Sequence, residues 1–215
     1  MTLRTQLFLE LIRAHVPEPP ARVLEIGCGR GELALALAEH GYEITAIDPK
    51  APEGPIFQQV TLEEFSDERC FGAVVASLSL HHVHDLGGGL DKLASLLASG
   101  GTLVLDEWAT ERFTGPTARW WYEQRRALAS VGRTESEVPD DFAAWVQKGH
   151  DDRAGLHLAS TMLAELEKRF AERLLEWHPY LYSWLLDDTL LELERALIEE
   201  GAIEAVGLWY VGARR

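Results

Sequence analysis

The chain has 215 residues, 47% of them hydrophobic, which suits a single globular domain with a sizeable core. Its formal net charge of −15 disfavours a nucleic-acid partner, because a polyanion needs a basic track on the protein that binds it. Two cysteines are too few for a disulfide framework, and no apolar run approaches the roughly 20 residues that span a bilayer, so we expect a cytoplasmic protein without a membrane span.

The predicted elements of the first half of the chain alternate between helices and apolar strands. Leu3, Leu7 and Leu11 repeat at helical spacing and predict an amphipathic helix over residues 3–15, placed to pack over a sheet or to cover a ligand. Apolar runs and turn residues predict strands at 21–26, 43–47, 56–59, 71–77 and 102–106, with helices at 32–40 and 86–98. This alternation predicts an α/β fold built on a doubly wound, mostly parallel sheet.

The second half departs from this pattern. We predict one domain over residues 1–215, with a helical insertion at approximately 110–188 before the C-terminal strands. Helical spacing supports it over 115–131 and 158–177, and a later helix at 192–200 is followed by β segments at 203–206 and 209–211. Five of the seven tryptophans lie in this insertion. We expect them to form a satellite core, and some to line a pocket for an apolar or aromatic molecule.

The most informative motif is a glycine-rich turn between the first predicted strand and the helix after it. Gly27, Gly29 and Gly31 occupy every second position there. Glycines allow left-handed turns and a close approach of the backbone to a ligand, and the first N–H groups of a helix carry partial positive charge. Asp48 ends the neighbouring strand, where a doubly wound sheet holds ribose hydroxyls. These features predict a cofactor that contains a nucleoside.

The spacing of the glycines distinguishes two kinds of nucleoside cofactor. The nicotinamide or flavin fingerprint is G-x-G-x-x-G, but here the third glycine comes one position early, and Glu32 occupies the next position. A carboxylate there would repel a pyrophosphate. Glu25, just before the first glycine, also suits a cationic ligand, and the sulfonium and amino groups of S-adenosylmethionine are cationic. The turn therefore favours the methyl donor.

Four features occur in the order found in one enzyme family. They are the Glu-x-Gly-x-Gly-x-Gly motif at 25–31, Asp48, the run at 74–82 and the segment at 100–105. With them the chain resembles the class I S-adenosylmethionine-dependent methyltransferases, specifically the small-molecule group that includes ubiquinone and menaquinone biosynthesis enzymes, over roughly residues 20–108 and the C-terminal strands. The resemblance implies a Rossmann-like fold, S-adenosylmethionine as cofactor, and methyl transfer to a small-molecule acceptor by direct displacement.

Each part of the cofactor has expected partners. We expect backbone amides of the glycine turn to bind the methionine carboxylate, Glu25 to attract the amino end, and Asp48 to bind the ribose diol. Adenine is expected between the loop after Asp48 and residues 60–63, with its contact left open among Gln59, Val60 and Thr61. The predicted cofactor-binding residues are Glu25, Gly27, Gly29, Gly31, Asp48, Pro49, Thr61, Leu62, Ser77 and Leu78.

Candidates for catalysis and acceptor binding are fewer. His82 follows the fourth strand and is the candidate general base, needed only if the acceptor must lose a proton. Otherwise it is a loop histidine that satisfies backbone groups. Trp120, Tyr122 and Tyr180 are the candidate acceptor contacts. No metal site is expected, because the spacing of the histidines at 81, 82 and 84 matches no common zinc-ligand pattern.

Two further functions remain open. One is a non-catalytic protein that binds S-adenosylmethionine as a regulator or scaffold, and the other is a nicotinamide-dependent oxidoreductase, which the early third glycine disfavours. The sequence leaves the acceptor and its reacting atom undetermined. It also leaves open whether the protein is a monomer or a homodimer.

Overall fold

The structure is a computed structural model that describes residues 1–133, 138–185 and 188–215. Residues 134–137 and 186–187 of the predicted insertion lie outside the described residues. The helices are α1 (Leu3–His15), α2 (Glu32–Glu39), α3 (Leu86–Leu96), α4 (Gly115–Ser130), α5 (Phe142–Asp152), α6 (Ala159–Glu167), α7 (Leu181–Trp184) and α8 (Leu190–Glu199). The strands are β1 (Arg22–Ile26), β2 (Glu43–Ile47), β3 (Phe57–Gln58), β4 (Phe71–Ser77), β5 (Leu97–Trp108), β6 (Phe170–His178) and β7 (Gly207–Arg214).

The strands form one sheet in the order β3-β2-β1-β4-β5-β7-β6. Strands β1 to β5 run parallel to one another. Strand β7 lies between β5 and β6 and is antiparallel to both. This confirms the predicted α/β fold with a doubly wound, mostly parallel sheet. The chain winds from β1 towards β3 in one direction and from β4 towards β5 in the other. A crevice therefore opens at the carboxyl ends of β1 and β4, where sheets of this kind bind ligands.

Strand β4 shows why both faces of the sheet are covered. Val74 and Ala76 belong to the buried cluster that includes side chains of α3 and α6, whereas Ala73 and Val75 belong to the cluster that includes side chains of α1 and α2. Successive side chains of a strand point to opposite faces. Because all four are apolar, this strand requires helices on both sides.

The predicted helix over residues 158–177 is wrong in its second half. Helix α6 ends at Glu167, and residues 170–178 form β6, an edge strand that pairs with β7. Met162 and Leu166 are buried at helical spacing, and Phe170 continues that spacing from within the strand. Most of the following side chains of β6 are exposed, so no alternating pattern marks the strand. Its backbone hydrogen bonds come from a partner strand far along the chain.

Two related predictions also need correction. The helical region does not extend unbroken to about residue 188, because β6 returns the chain to the sheet between α6 and the short helix α7. Residues 203–206 do not form a strand, and β7 begins at Gly207. Ile203, Ala205 and Val206 are nevertheless buried, so the apolar pattern there reflects a packed loop. The helix predicted at 115–131 is confirmed as α4.

Candidate active site

The glycine-rich turn joins β1 to α2 at the crevice. Gly27, Gly29 and Gly31 all have positive φ, at 69°, 50° and 79°. A Cβ atom at Gly27 would lie 2.5 Å from the Cβ of Ser79, whereas a Cβ at Gly29 would meet nothing within 4 Å. Gly27 is therefore needed for packing as well as for its backbone angle. Gly29 is needed for its backbone angle, and it leaves open space beside the chain.

Asp48 follows β2 and connects two loops of the crevice. Its Oδ2 accepts a hydrogen bond from the backbone N–H of Gly29 at 3.2 Å, and its Oδ1 accepts one from that of Lys50 at 2.7 Å. The carboxylate is half-buried in a cleft of about 550 Å³, which we call the adenosyl cleft. The structure brings several predicted residues together there: Gly27, Asp48, Pro49, Thr61, Leu62, Leu78 and His82.

Of the three residues predicted as alternatives for the adenine contact, two line the adenosyl cleft. The side-chain amide of Gln59 donates to the carbonyl of Ala51 at 2.7 Å, and Gln59 does not line the cleft. Val60 and Thr61 do line it. The backbone N–H of Thr61 donates to the side chain of Glu64 at 3.0 Å, which holds this segment in place.

A smaller cavity of about 190 Å³ shares Gly27 with the adenosyl cleft, and we call it the inner cleft. Glu25 lines it and is only 3% exposed, and its Oε2 has no hydrogen-bond partner among the described residues. Burial raises the pKa of Glu25 to about 8, with a smaller contribution from the charge of Asp48 and an opposing hydrogen bond from the backbone of Ala34. A buried carboxyl oxygen without a partner is costly. It fits a ligand that brings a cationic group.

An ion pair between α1 and β5 closes the inner cleft. The Arg4 guanidinium lies 2.5 Å from Oδ2 of Asp106 and also donates to the hydroxyl of Ser77 at 3.1 Å. Asp106 is fully buried. Sequence reasoning missed both partners. Asp106 could have been found, because it follows the apolar run at 103–105 at the same sheet edge, but no local pattern distinguishes Arg4.

The end of β4 has a strained backbone. Leu78 has a φ of 53°, and among the described residues it is the only non-glycine residue with positive φ. Its backbone N–H donates to the carbonyl of Asp106 at 2.8 Å. Backbone strain of this kind concentrates at functional sites, where the surrounding structure maintains it. Here it falls between Ser77, which lines the inner cleft, and Ser79, which lines the adenosyl cleft.

Glu107 fixes the histidine-containing loop after β4. Its buried carboxylate accepts hydrogen bonds from the backbone N–H groups of Ser79 and Leu80, at 3.0 and 2.7 Å, and its other oxygen lies 2.5 Å from Nδ1 of His81. The ring of His82 lies 4.2 Å from that of His81 and lines the adenosyl cleft. Burial, with a smaller effect of His81, lowers the pKa of His82. Sequence reasoning named the histidines but missed Glu107.

A third cavity, of about 450 Å³, lies beyond the end of β5, and we call it the aromatic cavity. It begins at Trp108, two positions after Asp106 on the same strand, so the two side chains point to the same face of the sheet. Its ring-bearing lining residues are Trp108, Phe113, Trp121, Trp145 and Trp184. Trp121 and Trp145 of the predicted insertion thus belong both to a packed aromatic cluster and to the cavity wall.

The three residues predicted to contact the acceptor do not form part of this wall. Trp120, Tyr122 and Tyr180 are not among the residues that line the aromatic cavity. The Tyr122 hydroxyl donates to the carbonyls of Pro139 and Asp140, at 2.6 and 2.7 Å, and Trp120 packs half-buried against the same aromatic cluster. Tyr180 is fully buried, with its ring stacked 6.4 Å from that of Trp108. Tyr122 and Tyr180 contact rings of the cavity wall without lining the cavity, Tyr122 that of Trp145 and Tyr180 those of Trp108 and Trp184.

The described part of the chain has neither a cluster of metal ligands nor a membrane-spanning helix. No group of three or more histidine, cysteine, aspartate or glutamate side chains in the described part of the chain is arranged to hold a metal ion. No helix within residues 1–133, 138–185 and 188–215 is long and apolar enough to cross a membrane.

The sheet order, the glycine turn and the two carboxylates, Glu25 near the end of β1 and Asp48 after β2, define an α/β methyltransferase fold of class I. A family model described as "Methyltransferase domain" matches residues 3–148, more than half of the chain. The chain therefore belongs to this methyltransferase family. The predicted fold and the predicted methyltransferase family are confirmed.

Relatives in sequence and structure agree with this assignment. The chain is 36% identical over 113 residues to the "Ubiquinone biosynthesis O-methyltransferase" of Xanthomonas campestris pv. campestris (strain B100). The match covers 45% of this chain and 47% of that protein. The chain thus spans about half the length of such curated relatives. An S-adenosylmethionine dependent methyltransferase from Mesorhizobium loti has a TM-score of 0.61 at 20% identity, with 96% of each chain covered.

A second solved structure is N-methyltransferase NodS from Bradyrhizobium japonicum WM9 in complex with S-adenosyl-l-homocysteine. Its TM-score is 0.56 at 16% identity, over 98% of this chain and 85% of that chain. At such low identities both structures show the fold alone. The matching family and these relatives are methyltransferases, so the comparisons support neither the nicotinamide-dependent oxidoreductase nor the non-catalytic regulator.

Proposed function

We propose that this chain binds S-adenosylmethionine across the inner and adenosyl clefts and methylates a small molecule held in the aromatic cavity. The observation that carries the proposal is the position of two carboxylates on either side of Gly27. Glu25 lines the inner cleft and Asp48 lines the adenosyl cleft, while Gly27 lines both. An elongated ligand with a cationic end and a diol fits this arrangement.

The residues of each cleft have distinct binding roles in this proposal. Glu25 binds the amino group, which supplies the missing partner for its buried oxygen, and the amides of the glycine turn bind the carboxylate. Asp48 binds the ribose diol with the lone pairs that its two backbone hydrogen bonds leave free. Pro49, Thr61 and Leu62 form the wall of the base site, and the backbone at 77–78 lies beside the methionine portion.

When bound, S-adenosylmethionine supplies a sulfonium methyl group that an acceptor lone pair takes, while the carbon–sulfur electron pair stays on the sulfur of the departing S-adenosylhomocysteine. The chain contributes alignment and exclusion of water. Arg4 and Asp106 close the inner cleft beneath α1. Glu107 and His81 fix the loop that presents His82 to the adenosyl cleft.

We assign His82 the role of proton acceptor when the acceptor is a hydroxyl or an amine. Its lowered pKa keeps the imidazole neutral near neutral pH, the form that accepts a proton. His82→Ala should lower kcat and remove the acidic limb of the pH–rate profile with little change in cofactor affinity. His84→Ala is the matched control, because His84 lines the same cleft. An unchanged profile in the His82 variant would remove it from catalysis.

Binding and turnover test the function separately. Calorimetry with S-adenosylhomocysteine should show saturable binding in the wild-type protein, and substitution of Glu25 or Asp48 should weaken it. Transfer of a labelled methyl group to members of a small-molecule acceptor panel should then depend on the same residues. Absence of binding would contradict the proposal, and binding without turnover on any acceptor would favour a regulator. The cytoplasmic location and the monomeric or homodimeric state stay predictions.

A further inference from the structure

The aromatic cavity contains cationic side chains as well as rings. Arg125 of α4, Lys148 of α5 and Arg153 line it, together with the carboxylate of Asp152. The Lys148 ammonium lies 2.5 Å from Oδ2 of Asp152, so these two charges neutralise each other. Two guanidinium groups therefore supply the uncompensated charge of the wall.

These two guanidinium groups make neither a hydrogen bond nor an ion pair with any described residue. Their contacts are with rings: Arg125 lies 5.1 Å from the ring centre of Trp121, and Arg153 lies 5.6 and 5.4 Å from those of Trp108 and Phe113. Both arginines are half-buried, and burial lowers the pKa of each, with an opposing effect of the Asp152 charge on Arg153. No described protein group accepts a hydrogen bond from their N–H donors, which are therefore available to an anionic ligand.

We propose that the aromatic cavity binds its acceptor as a planar aromatic anion, with the acidic group held by Arg125 and Arg153. The proposal rests on the function proposed above and adds the chemical class of the acceptor. A guanidinium presents N–H donors in a planar fork that matches a carboxylate, and aromatic walls favour a flat ring. A volume of about 450 Å³ is sufficient for a small aromatic acid.

The charge of the whole chain opposes the binding of an anion. With a formal net charge of −15, the protein as a whole repels anions. An anionic acceptor therefore needs a local cationic site, and the guanidinium groups of Arg125 and Arg153 supply one in the aromatic cavity. Asp106 and Trp108 connect the inner cleft to this cavity along one face of that strand.

A pair of matched probes tests the charge preference directly. Binding of 2-naphthoate and of its neutral isostere 2-naphthamide is measured by quenching of tryptophan fluorescence, with S-adenosylhomocysteine present. We expect wild type to bind the carboxylate about tenfold or more tightly than the amide, the effect of one charge-assisted hydrogen bond. The preference should disappear in Arg153→Gln and Arg125→Gln, and it should be intermediate in Arg153→Lys, which keeps the charge and loses the fork.

Arg126→Gln is the control, because Arg126 is the neighbouring residue on α4 and pairs with Asp140 outside the cavity wall. Equal affinity for the two probes, a preference that survives both glutamine variants, or no saturable quenching would overturn the inference. Circular dichroism establishes that each variant is folded. Calorimetry with S-adenosylhomocysteine tests the proposed function separately. Failure of the proposed function is therefore distinguishable from the absence of a charge preference.

Discussion

The Arg4 guanidinium of α1 lies 2.5 Å from the fully buried carboxylate of Asp106 on β5. This contact joins residues 102 positions apart and fixes the first helix over the inner cleft. The same guanidinium lies over the ring of Tyr180 at 5.5 Å, so one side chain connects the helix, the sheet and a ring that contacts the wall of the aromatic cavity.

Arg4→Met should lower the free energy of unfolding by about 1–3 kcal/mol, because it leaves the Asp106 carboxylate buried without its cation. Urea unfolding measures the change. Arg13→Met, at an exposed position of the same helix, should change stability by no more than about 0.5 kcal/mol. Adding Asp106→Asn to the Arg4 variant should recover part of the loss. Wild-type stability of the single Arg4 variant would show that the ion pair does not stabilise the fold.

Gly27→Ala should destabilise the protein by about 2 kcal/mol or more, through its left-handed backbone and the overlap with Ser79. Thermal and urea unfolding measure the loss. Ser79→Gly removes the overlapping Cβ, so the double variant should regain part of the stability. A double variant no more stable than Gly27→Ala would indicate that the backbone angle alone is responsible.

Gly29→Val should act differently, because its Cβ reaches open space in the protein. We expect a loss of stability of only about 1–2 kcal/mol, from the left-handed backbone. Binding of S-adenosylhomocysteine should be abolished, since a side chain there occupies the space beside the turn that the ligand approaches. Calorimetry on the folded variant decides this, and retained affinity would argue against a close backbone approach.

Asp48→Ala should weaken binding of S-adenosylhomocysteine by roughly 1–3 kcal/mol, the usual cost of unpairing buried polar groups. Asp48→Asn keeps an acceptor oxygen for the loops and should lose less. Glu43→Ala, at the exposed start of the same strand, serves as the control in calorimetry. Unchanged affinity in Asp48→Ala would exclude the assigned contact with the ribose.

Cofactor affinity should rise with pH as a consequence of the Glu25 pKa. In the free protein that pKa is raised from 4.5 to about 8, so the carboxyl holds a proton near neutral pH. A bound ammonium group favours the ionised form and lowers the pKa, so binding expels a proton. Affinity should therefore increase as the pH approaches about 8 and level off above it.

Calorimetry in buffers of different ionisation enthalpy measures this released proton. Glu25→Gln should abolish both the release and its share of the pH dependence, whereas Glu43→Gln should keep them. The charges around Glu25 in the inner cleft come from Arg4, Arg30, Glu32 and Asp106. The ligand's own ionisation is common to all variants and cancels in the comparison. Identical proton release in wild type and Glu25→Gln would place the ammonium group elsewhere.

In the unliganded protein, the same raised pKa has a consequence for stability. A carboxyl with a raised pKa in the folded state stabilises the fold fully below its ordinary pKa. That contribution is lost as the pH rises through about 8. The free energy of unfolding of wild type should therefore fall between about pH 5 and 8 relative to Glu25→Gln.

The parallel part of the fold could be predicted from local sequence. Buried parallel strands are continuous apolar runs, and the glycine turn and Asp48 mark where two of them end. Because the carboxyl ends of parallel strands share one edge, locating the strands also located the proposed cofactor residues. Strand β6 could not be found in this way, since its exposed side chains form no pattern and its hydrogen bonds come from β7.

The sequence by itself determined the methyltransferase family and the place of its proposed cofactor site, because both depend on residues close together in the chain: Glu25, the three glycines and Asp48. Only the tertiary structure determined which side chains complete the site. Arg4 joins Asp106, Glu107 joins the loop of His81, and Arg125 and Arg153 share one cavity, although long stretches of chain separate the members of each pair. Local spacing specifies single elements, whereas contacts between distant side chains form only when those elements pack together.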